Sequence, residues 1–259
     1  NACRWRTAAA MIVLSRGCDV VDICYRLGQV CASTGLIYAM HQVKVGCIVR
    51  HKHGSSAMDR ILRRLCTEQL LLASSTTEGQ AGGNVRSSEA PIEREGTRIA
   101  LERRATVISY GAHADGIVTT ARRAADASAS DQVLVVFLKG TYTLEFLQGW
   151  DALGMRGTCS QGYTLKATGD ADQILQDPYE RIHAQTMVPF AHLCWGAVWA
   201  GIAAAASARA QAFLRHTARR SGGQLPPGAA QFTRALSTLS TLRGLLGSAL
   251  RSYERAMTD

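Results

Sequence analysis

The sequence predicts an α+β fold in which helical parts lie on either side of a central β-barrel or sandwich domain. Apolar residues recur at helical spacing up to about residue 70. Short runs of β-forming residues, broken by Gly, Asp and Ser turns, follow, and long helical patterns return near residue 186. We therefore expect a helical amino-terminal domain over 1–70, a middle β domain over 71–185 and a helical carboxy-terminal domain over 186–259.

The first of these segments is predicted to contain three helices. Apolar residues recur every three or four positions over 20–30 and, less regularly, over 36–48. A turn at 53–56, rich in Gly and Ser, then separates a third helix that begins near Met58 and ends near Gln69.

The middle segment is predicted to contain several short strands. Apolar and polar residues alternate over 97–103, and β-forming runs follow at 106–109, 117–119 and 163–166. The clearest signal is the continuous apolar run at 132–138, which is typical of a strand buried on both faces. Such strands, separated by turn residues, indicate a small barrel or sandwich.

The last segment is predicted to form two long helices, over 187–218 and 229–254, separated by Gly and Pro residues between 221 and 227. The second helix carries one apolar stripe, of the kind that packs into a core. If the chain is monomeric, we expect part of this stripe to be exposed, namely Leu236, Leu239 and Leu246.

The formal net charge of +9 is spread unevenly, with basic residues in excess in both flanks and a slightly acidic middle. Basic flanks could attract a phosphate-bearing ligand, although solvated arginines on helix surfaces explain them equally well. The basic residues are scattered rather than arranged in a stripe, so we do not expect nucleic acid binding.

Cysteine and histidine spacing argues against disulfides and metals. The eight Cys form no CxxC pair, and we expect reduced thiols and a cytoplasmic location. His41, His51 and His53 form no i, i+4 pair, so no metal site is predicted. The apolar stretch over 187–206 is interpreted as a buried core helix rather than a membrane span.

One segment stands out as a candidate ligand-binding loop, the run SSTTEGQAGGNV over 74–85. Its hydroxyls, small residues and glycines let the backbone approach a flat or phosphorylated ligand closely. It lacks the Lys of a P-loop and the spacing of a dinucleotide fingerprint. Taken alone, it is equally compatible with a glycine-rich surface turn.

Together with three other segments, this loop resembles the acyl-CoA dehydrogenase family. Residues 77–84, TEGQAGGN, are similar to that family's T-E-x-x-A-G-S-D segment, with Gly83 for Ser and Asn84 for Asp. Residues 107–111, VISYG, are similar to its aromatic-Ile-Thr-Asn-Gly segment. Residues 154–160, GMRGTCS, match its G-M-R-G-T-x-S segment, and the CASTG run at 31–35 resembles its amino-terminal domain.

The resemblance implies a site for flavin adenine dinucleotide (FAD). In the family the first segment lines the flavin ring and the second supplies a wall and a hydroxyl beside it. The ring edge needs fixed hydrogen-bond partners, while its face needs an apolar wall. Carried over by position, Gly83 also borders the substrate, and the cofactor-binding residues would be Ser74, Thr76, Thr77, Gly82, Gly83, Val107, Ile108 and Ser109.

The resemblance also implies an activity, the FAD-dependent oxidation of an acyl thioester between its alpha and beta carbons. A base removes the alpha proton while the flavin accepts a hydride from the beta carbon. The implied partners are acyl-CoA, an electron acceptor for the flavin and a second copy or three further copies of the chain, in fatty acid metabolism. The family's catalytic Glu lies late in its helical domain and has no counterpart up to Asp259. We therefore name no catalytic residue and expect the chain to be incomplete at both ends.

Departures from the family pattern keep two other functions open. Asn84, Val107 and His192 replace residues usual in the dehydrogenases, and a flavin-dependent monooxygenase of the same fold is one alternative. A truncated, non-catalytic homologue is the other. Among single residues, His113 could donate to the flavin ring, whereas Glu78 is expected to be structural and Cys159 packed.

Overall fold

The computed structural model describes residues 17–78, 84–222 and 224–258. These residues form two units, Met40–Pro189 and a helical unit made of 17–39 with the described part of 190–258. The six helices of the described residues are α1 (Gly17–Val30), α2 (Ala32–His51), α3 (Ser56–Thr67), α4 (Tyr179–Ile182), α5 (Val188–Arg220) and α6 (Ala229–Thr258). The predicted helices are confirmed, while the three-domain boundaries stay a prediction.

Seven strands lie within the described part of Met40–Pro189, which we call the strand-rich unit. They are β1 (Leu72–Ser75), β2 (Glu93–Glu95), β3 (Arg98–Ile108), β4 (Gly116–Arg122), β5 (Gln132–Leu138), β6 (Tyr142–Gln148) and β7 (Gln161–Asp170). One sheet has the order β1-β4-β5 and the other β2-β3-β7-β6, with β1 parallel to β4 and the remaining pairs antiparallel. The predicted α+β class is confirmed.

The strand predictions were partly right. The run at 132–138 is β5, and all seven of its side chains are buried, as the continuous apolar pattern predicts. The runs at 97–103 and 106–109, predicted separately, belong almost entirely to one strand, β3, which continues through an irregularity in its pairing with β7. Three strands were not predicted, the short β1 and the exposed β2 and β6, which carry charged residues.

The two sheets pack face to face around a shared core. Gly169 on β7 lies so close to the ring of Phe137 on β5 that an added Cβ would come within 3.2 Å of it. Arg103 on β3 reaches across to donate to Thr120 on β4. Helix α4 packs against β5 from the same unit. Strand β5 is therefore covered on both faces, which explains its lack of polar alternation.

Helix α3 shows how local sequence sets an element in this unit. Ser55 precedes it as the N-cap, and its Oγ accepts the Met58 amide at 3.3 Å. The residues that α3 buries are one helical stripe, Ala57, Met58, Ile61 and Leu65. The chain leaves the helix through Gln69, which takes a left-handed φ of 54°.

The helical unit is built on close contacts between α1 and α5. Gly28 on α1 lies against the carbonyl of Val198, and Gly201 on α5 lies against the carbonyl of Tyr25. A Cβ on either glycine would overlap the facing backbone oxygen. Small residues at both crossing points let the two backbones approach more closely than larger side chains would allow.

Helix α6 joins this unit through partly buried contacts. Tyr253 stacks on Phe190 with ring centroids 5.9 Å apart, and the Arg243 guanidinium lies 5.3 Å from the Tyr25 ring. Of the stripe residues predicted to be exposed, Leu236 is 38% exposed, whereas Leu239 and Leu246 are half-buried.

A continuous helical stretch over Tyr179–Arg220 is long and apolar enough, by length and composition, to cross a membrane. Of its most apolar window, 56% is buried against protein. Nine residues between 190 and 201 are buried, and the second half of α5 is mostly exposed. The buried first half has the character expected of a core helix.

Candidate functional site

The first predicted segment begins on β1, which is held in place from both sides. The Leu72 amide donates to His41 Nδ1 at 3.0 Å, and Thr119 Oγ1 donates to the Ser75 carbonyl at 2.8 Å. Burial lowers the pKa of His41 to about 4, so its ring stays neutral and accepts this hydrogen bond. Ser74 is half-buried, and the buried Ser75 points to the opposite face.

The hydroxyls that follow β1 are available to a ligand. Thr76 and Thr77 are half-buried, and among the described residues no hydrogen bond engages their hydroxyls or that of Ser74. The buried Ser75 Oγ has no partner within the described parts of the chain either. Gly82 and Gly83, also predicted to bind the cofactor, lie outside the described residues.

Glu78 is held as a structural residue. Its carboxylate accepts the amides of Glu89 at 2.5 Å and Ala90 at 3.4 Å, and lies 3.4 Å from Arg103 Nη1. Arg103 is fully buried, and burial lowers its pKa, against the opposing charge of Glu78. The pair fixes the chain where it leaves Thr77, which agrees with the structural role expected for Glu78.

The second segment follows a β-bulge at the end of β3. Ala105 pairs with Tyr163 and Ile108 with Gln161, so two residues of β3 face the single residue Gly162. An added Cβ at Gly162 would lie 2.8 Å from the Thr106 carbonyl oxygen. The bulge leaves Val107 half-buried and Ile108 fully buried. A bound ring could therefore contact the Val107 side chain but only the backbone of Ile108.

The second and third segments meet through a chain of hydroxyls. Ser109 Oγ lies 2.8 Å from Ser160 Oγ, which lies 2.8 Å from Thr158 Oγ1. Thr158 Oγ1 in turn donates to the Met155 carbonyl at 2.8 Å. Ser109 is half-buried while Ser160 and Thr158 are buried, so the chain runs from the core to Ser109.

Tyr110 ties the second segment to the other two. Its hydroxyl donates to the Leu72 carbonyl on β1 at 2.9 Å, and its amide donates to the Thr158 carbonyl at 2.7 Å. Burial raises the pKa of the Tyr110 hydroxyl, which keeps it a donor. Tyr110 therefore joins the second segment to the third and to β1, the strand on which the first segment begins.

Backbone strain is concentrated at this meeting point. Tyr110, Met155 and Cys159 all adopt left-handed φ values, of 47°, 55° and 44°. Non-glycine residues rarely take this conformation, and it persists only where the surroundings enforce it. Such strain tends to occur at functional sites.

A groove of about 630 Å³ adjoins the site. Its walls include Glu78, which follows Thr77, and Thr106, which precedes Val107, but none of the predicted cofactor-binding residues. The remaining lining residues are Glu89, Ala90, Arg104, Ala105, Leu147, Gln148 and Gly162. The groove opens where β3 and β6 both bulge beside Gly162.

Sequence reasoning found three segments but missed the residues that join them. The segments are held together by His41, Tyr110, Thr158 and Ser160. Tyr110, Thr158 and Ser160 lie inside the family-like motifs but were given no role there, and His41 lies outside them. His113 is exposed on a short 3₁₀ turn after Tyr110, and Cys159 is half-buried, with its Sγ 3.8 Å from the Arg156 carbonyl.

The residues present suit a flat ring that carries both donors and acceptors. Ser74, Thr76, Thr77 and Ser109 offer hydroxyls that can donate or accept, and Val107 offers a small apolar surface. The buried Glu78 carboxylate, which follows Thr77, is neutralised by Arg103 and accepts two amides.

Comparison with known proteins gives one curated relative. No protein-family profile matches the chain. The cyclohex-1-ene-1-carbonyl-CoA dehydrogenase of Geobacter metallireducens is 31% identical over 135 residues, which are 51% of this chain and 35% of that protein. The chain is therefore matched to about a third of the relative's length.

Solved structures show the same fold along nearly the whole chain. KijD3, in complex with FMN and dTDP-3-amino-2,3,6-trideoxy-4-keto-3-methyl-D-glucose, superposes with a TM-score of 0.76 at 21% identity, over 93% of this chain and 60% of KijD3. The butyryl-CoA dehydrogenase of Megasphaera elsdenii superposes with a TM-score of 0.67 at 15% identity, over 90% and 60%. These matches confirm the resemblance to the acyl-CoA dehydrogenase family and show its fold.

Proposed function

We propose that this chain is part of a flavin-dependent oxidoreductase whose flavin ring binds where the three segments meet. The main support for the proposal is a pair of hydrogen bonds at this point, from Tyr110 to the Leu72 carbonyl and between Ser109 and Ser160. A ring bound there would meet Ser74, Thr76 and Thr77 from the first segment and Val107 and Ser109 from the second, although the segments are distant in sequence. The names of the relatives, two dehydrogenases and an FMN complex, support the same chemistry.

Each residue would contribute by its chemical type. The hydroxyls of Thr76, Thr77 and Ser109 would form hydrogen bonds with the acceptors and the donor at the edge of the flavin ring. Val107 would cover part of the face of the ring. When bound, a flavin supplies the hydride-accepting chemistry of such an enzyme. The buried Ser160 and Thr158 would orient the Ser109 hydroxyl. We propose FAD as the cofactor.

The reaction we favour is oxidation of an acyl thioester between its alpha and beta carbons. The support is the dehydrogenase named for a CoA thioester, with which half of this chain aligns. The proposal extends to acyl-CoA as substrate, a separate electron acceptor, a place in fatty acid metabolism and a cytoplasmic homodimer or homotetramer. Exposed apolar side chains on α5 and α6, including Phe213 and Leu245, support self-association.

A second candidate is a flavin-dependent monooxygenase of the same fold. Val107, a smaller wall than the aromatic residue usual in the dehydrogenases, favours it because less of the ring face would be covered. KijD3, which was solved with FMN and a nucleotide sugar, superposes with a higher TM-score than the butyryl-CoA dehydrogenase does. In this case FMN could replace FAD.

The test is flavin retention by the purified chain. We expect an oxidised-flavin absorption spectrum that survives desalting after incubation with FAD, and weaker retention by Thr77→Val and Ser109→Ala. Ser128→Ala is the matched control, because Ser128 is an exposed loop serine whose hydroxyl lies 3.1 Å from that of the exposed Ser130. If Ser109→Ala and Ser128→Ala retained flavin equally well, Ser109 would have no role in binding the flavin.

Two further measurements separate the candidates. Bleaching of the bound flavin on anaerobic addition of acyl-CoA supports a dehydrogenase, whereas reduced flavin that reacts only when oxygen and a different substrate are present supports a monooxygenase. Failure to retain either FAD or FMN would contradict both and favour a non-catalytic homologue.

A further inference from the structure

Three potential metal ligands converge at one end of the strand-rich unit. They are His51 Nδ1 at the end of α2, His53 Nε2 in the following turn and Asp177 Oδ2 just before α4. All three atoms lie within 4.8 Å of one another. Asp177 Oδ2 is 2.6 Å from His51 Nδ1 and 2.7 Å from His53 Nε2.

The second nitrogen of His51 is also held. His51 is buried, and its Nε2 lies 2.8 Å from Thr186 Oγ1 in the π-helical turn His183–Met187. Metal-binding histidines usually have their other ring nitrogen fixed by a hydrogen bond, which sets the tautomer and the ring orientation. Once an ion replaced the proton between Nδ1 and Asp177, Thr186 would accept from Nε2–H and the Nδ1 lone pair would be free to ligate.

The turn itself enforces the position of His53. Its φ of 40° is left-handed, a conformation that non-glycine residues rarely adopt, and Gly54 follows with a φ of 76°. This backbone folds His53 back towards Asp177. Because the His53 side chain is 45% exposed, solvent can reach the cluster from this side.

We propose that His51, His53 and Asp177 bind a divalent cation of the zinc class. Two imidazoles and one carboxylate form a ligand set that zinc, cobalt and nickel share, and three protein ligands leave a position for water. The resulting charge balance is favourable, since the carboxylate partly neutralises the ion. This ligand set shares no residue with the proposed flavin site.

Surrounding charges favour zinc-class ions over magnesium or calcium. Arg181 Nη1 lies 3.4 Å from Asp177 Oδ1, so this oxygen is engaged while Oδ2 faces the histidines. Nearby Arg50 donates to the Gln185 carbonyl at 3.1 Å. Arg181 beside the Asp177 carboxylate and Arg50 near His51 disfavour hard cations that rely on several anionic oxygens, whereas imidazole nitrogens retain their affinity for zinc.

Metal binding would require only a small increase in the distances between the three ligand atoms. The present separations suit hydrogen bonds, whereas two ligands of a tetrahedral zinc ion lie roughly 3.3 Å apart, given metal–ligand bonds of about 2.0–2.1 Å. The ion would replace the shared protons, and the exposed His53 side chain can move outward to make room. No metal site was predicted from the sequence, because the spacing of the histidines does not reveal that Asp177, 126 positions after His51, lies beside them.

The experiment is a titration of chelator-treated protein with Co²⁺ and Zn²⁺. We expect one cobalt ion per chain with the ligand-field absorption of a nitrogen and oxygen site, displaced by Zn²⁺, and a thermal midpoint that rises with added Zn²⁺. His53→Ala should weaken binding more than tenfold. His113→Ala, which removes another exposed histidine of the same unit, should bind as the unaltered chain does.

A second variant tests the hydrogen bond behind the site. Thr186→Val keeps the size of the side chain and removes the hydroxyl, so affinity should fall roughly tenfold to a hundredfold while one ion still binds. This separates loss of the supporting bond from loss of a ligand, and circular dichroism checks that each variant is folded.

Three results would overturn the proposal. They are no stoichiometric binding at micromolar metal, unchanged affinity in folded His53→Ala, and a thiolate-to-cobalt charge-transfer band, which would assign the ion to some of the eight cysteines. None of these readouts depends on flavin, so failure here and failure of the proposed oxidoreductase function are distinguishable.

Discussion

The strand-rich unit and the helical unit are stabilised in different ways. The strand-rich unit buries charged and polar side chains and pairs several of them, as with Arg103 and Glu78. The helical unit relies on close backbone contact at Gly28 and Gly201. Buried polar groups must be paired, so these pairs fix the arrangement of the strand-rich unit. In the helical unit the close fit between helix surfaces fixes the arrangement.

The units also differ in where they expose apolar side chains, which in the strand-rich unit lie mainly on β6 and the loop after it. In the helical unit Trp199, Phe213 and Leu245 are 54%, 68% and 64% exposed. A stripe that is only half-buried stabilises a monomer weakly but is suited to association. The difference indicates that substitutions in the strand-rich unit should act on folding, whereas many in the helical unit should act on assembly.

The largest effect is expected for Arg103→Ala. The change removes the cation beside Glu78 and leaves a buried carboxylate without its charge partner, so we expect the free energy of unfolding to fall by about 3–5 kcal/mol. Urea denaturation measures this. Arg104→Ala, at the exposed neighbouring position, is the control and should change stability by less than about 0.5 kcal/mol. Similar losses in both variants would show that the buried pair is not decisive.

The next effect concerns pH and His41. Burial, partly opposed by the charge of Asp115, lowers its folded pKa from 6.5 to about 4. As the pH falls, the unfolded chain therefore binds a proton at His41 before the folded chain does. The free energy of unfolding is unaffected by His41 above about pH 6.5 and decreases as the pH falls from there towards 4. At pH 5 this loss should be about 2 kcal/mol relative to pH 7.5.

His41→Gln tests the pH effect, because glutamine can still accept the Leu72 amide but does not titrate. The difference in unfolding free energy between pH 7.5 and pH 5 should be smaller in this variant. The same pH dependence in His41→Gln as in the parent chain would assign the effect to other groups.

In the helical unit, a pair of glycine variants should shift stability in opposite directions. Gly28→Ala would place a Cβ against the Val198 carbonyl and should destabilise the chain by about 1–3 kcal/mol. At Gly244 on α6 no atom would lie within 4 Å of an added Cβ, so Gly244→Ala should stabilise by about 0.5–1 kcal/mol. Thermal unfolding followed by circular dichroism compares them, and equal signs would argue against tight α1–α5 packing.

The smallest effect on stability is expected on the exposed face of α6. Leu245→Gln should change the free energy of unfolding by less than about 0.5 kcal/mol but shift the chain towards monomer in sedimentation velocity. Leu246→Ala should cost more, about 1–2 kcal/mol, since Leu246 is half-buried and contacts the position of Gly196. A large loss of stability in Leu245→Gln would mean that this side chain already packs within the monomer.

The elements that sequence alone predicted are those whose burial is periodic or complete. Strand β5 is buried on both faces, so its pattern is continuous, and α3 buries one clear stripe. Strands β2 and β6 were missed because exposed edge strands need no apolar pattern. Hydrogen bonds within the sheet, which the residue types do not encode, decide their structure.

The site was predicted less completely, because its geometry depends on contacts between distant residues. The resemblance proposes Thr77 and Ser109 as site residues, but the bond from Ser109 to Ser160 joins residues 51 positions apart. The His51 and Asp177 contact spans 126 positions. Composition and local spacing carry no information about such pairs, and only the folded arrangement of strands and loops brings them together.

The bulge in β6 has a consequence for solubility. β6 forms one edge of its sheet and exposes Phe146 and Leu147, so a regular strand there could recruit the same strand of another chain and begin aggregation. The extra residue between Phe146 and Gln148 interrupts the row of outward-facing amides and carbonyls. The irregularity that opens the groove beside Gly162 thus also protects the sheet from edge-to-edge pairing.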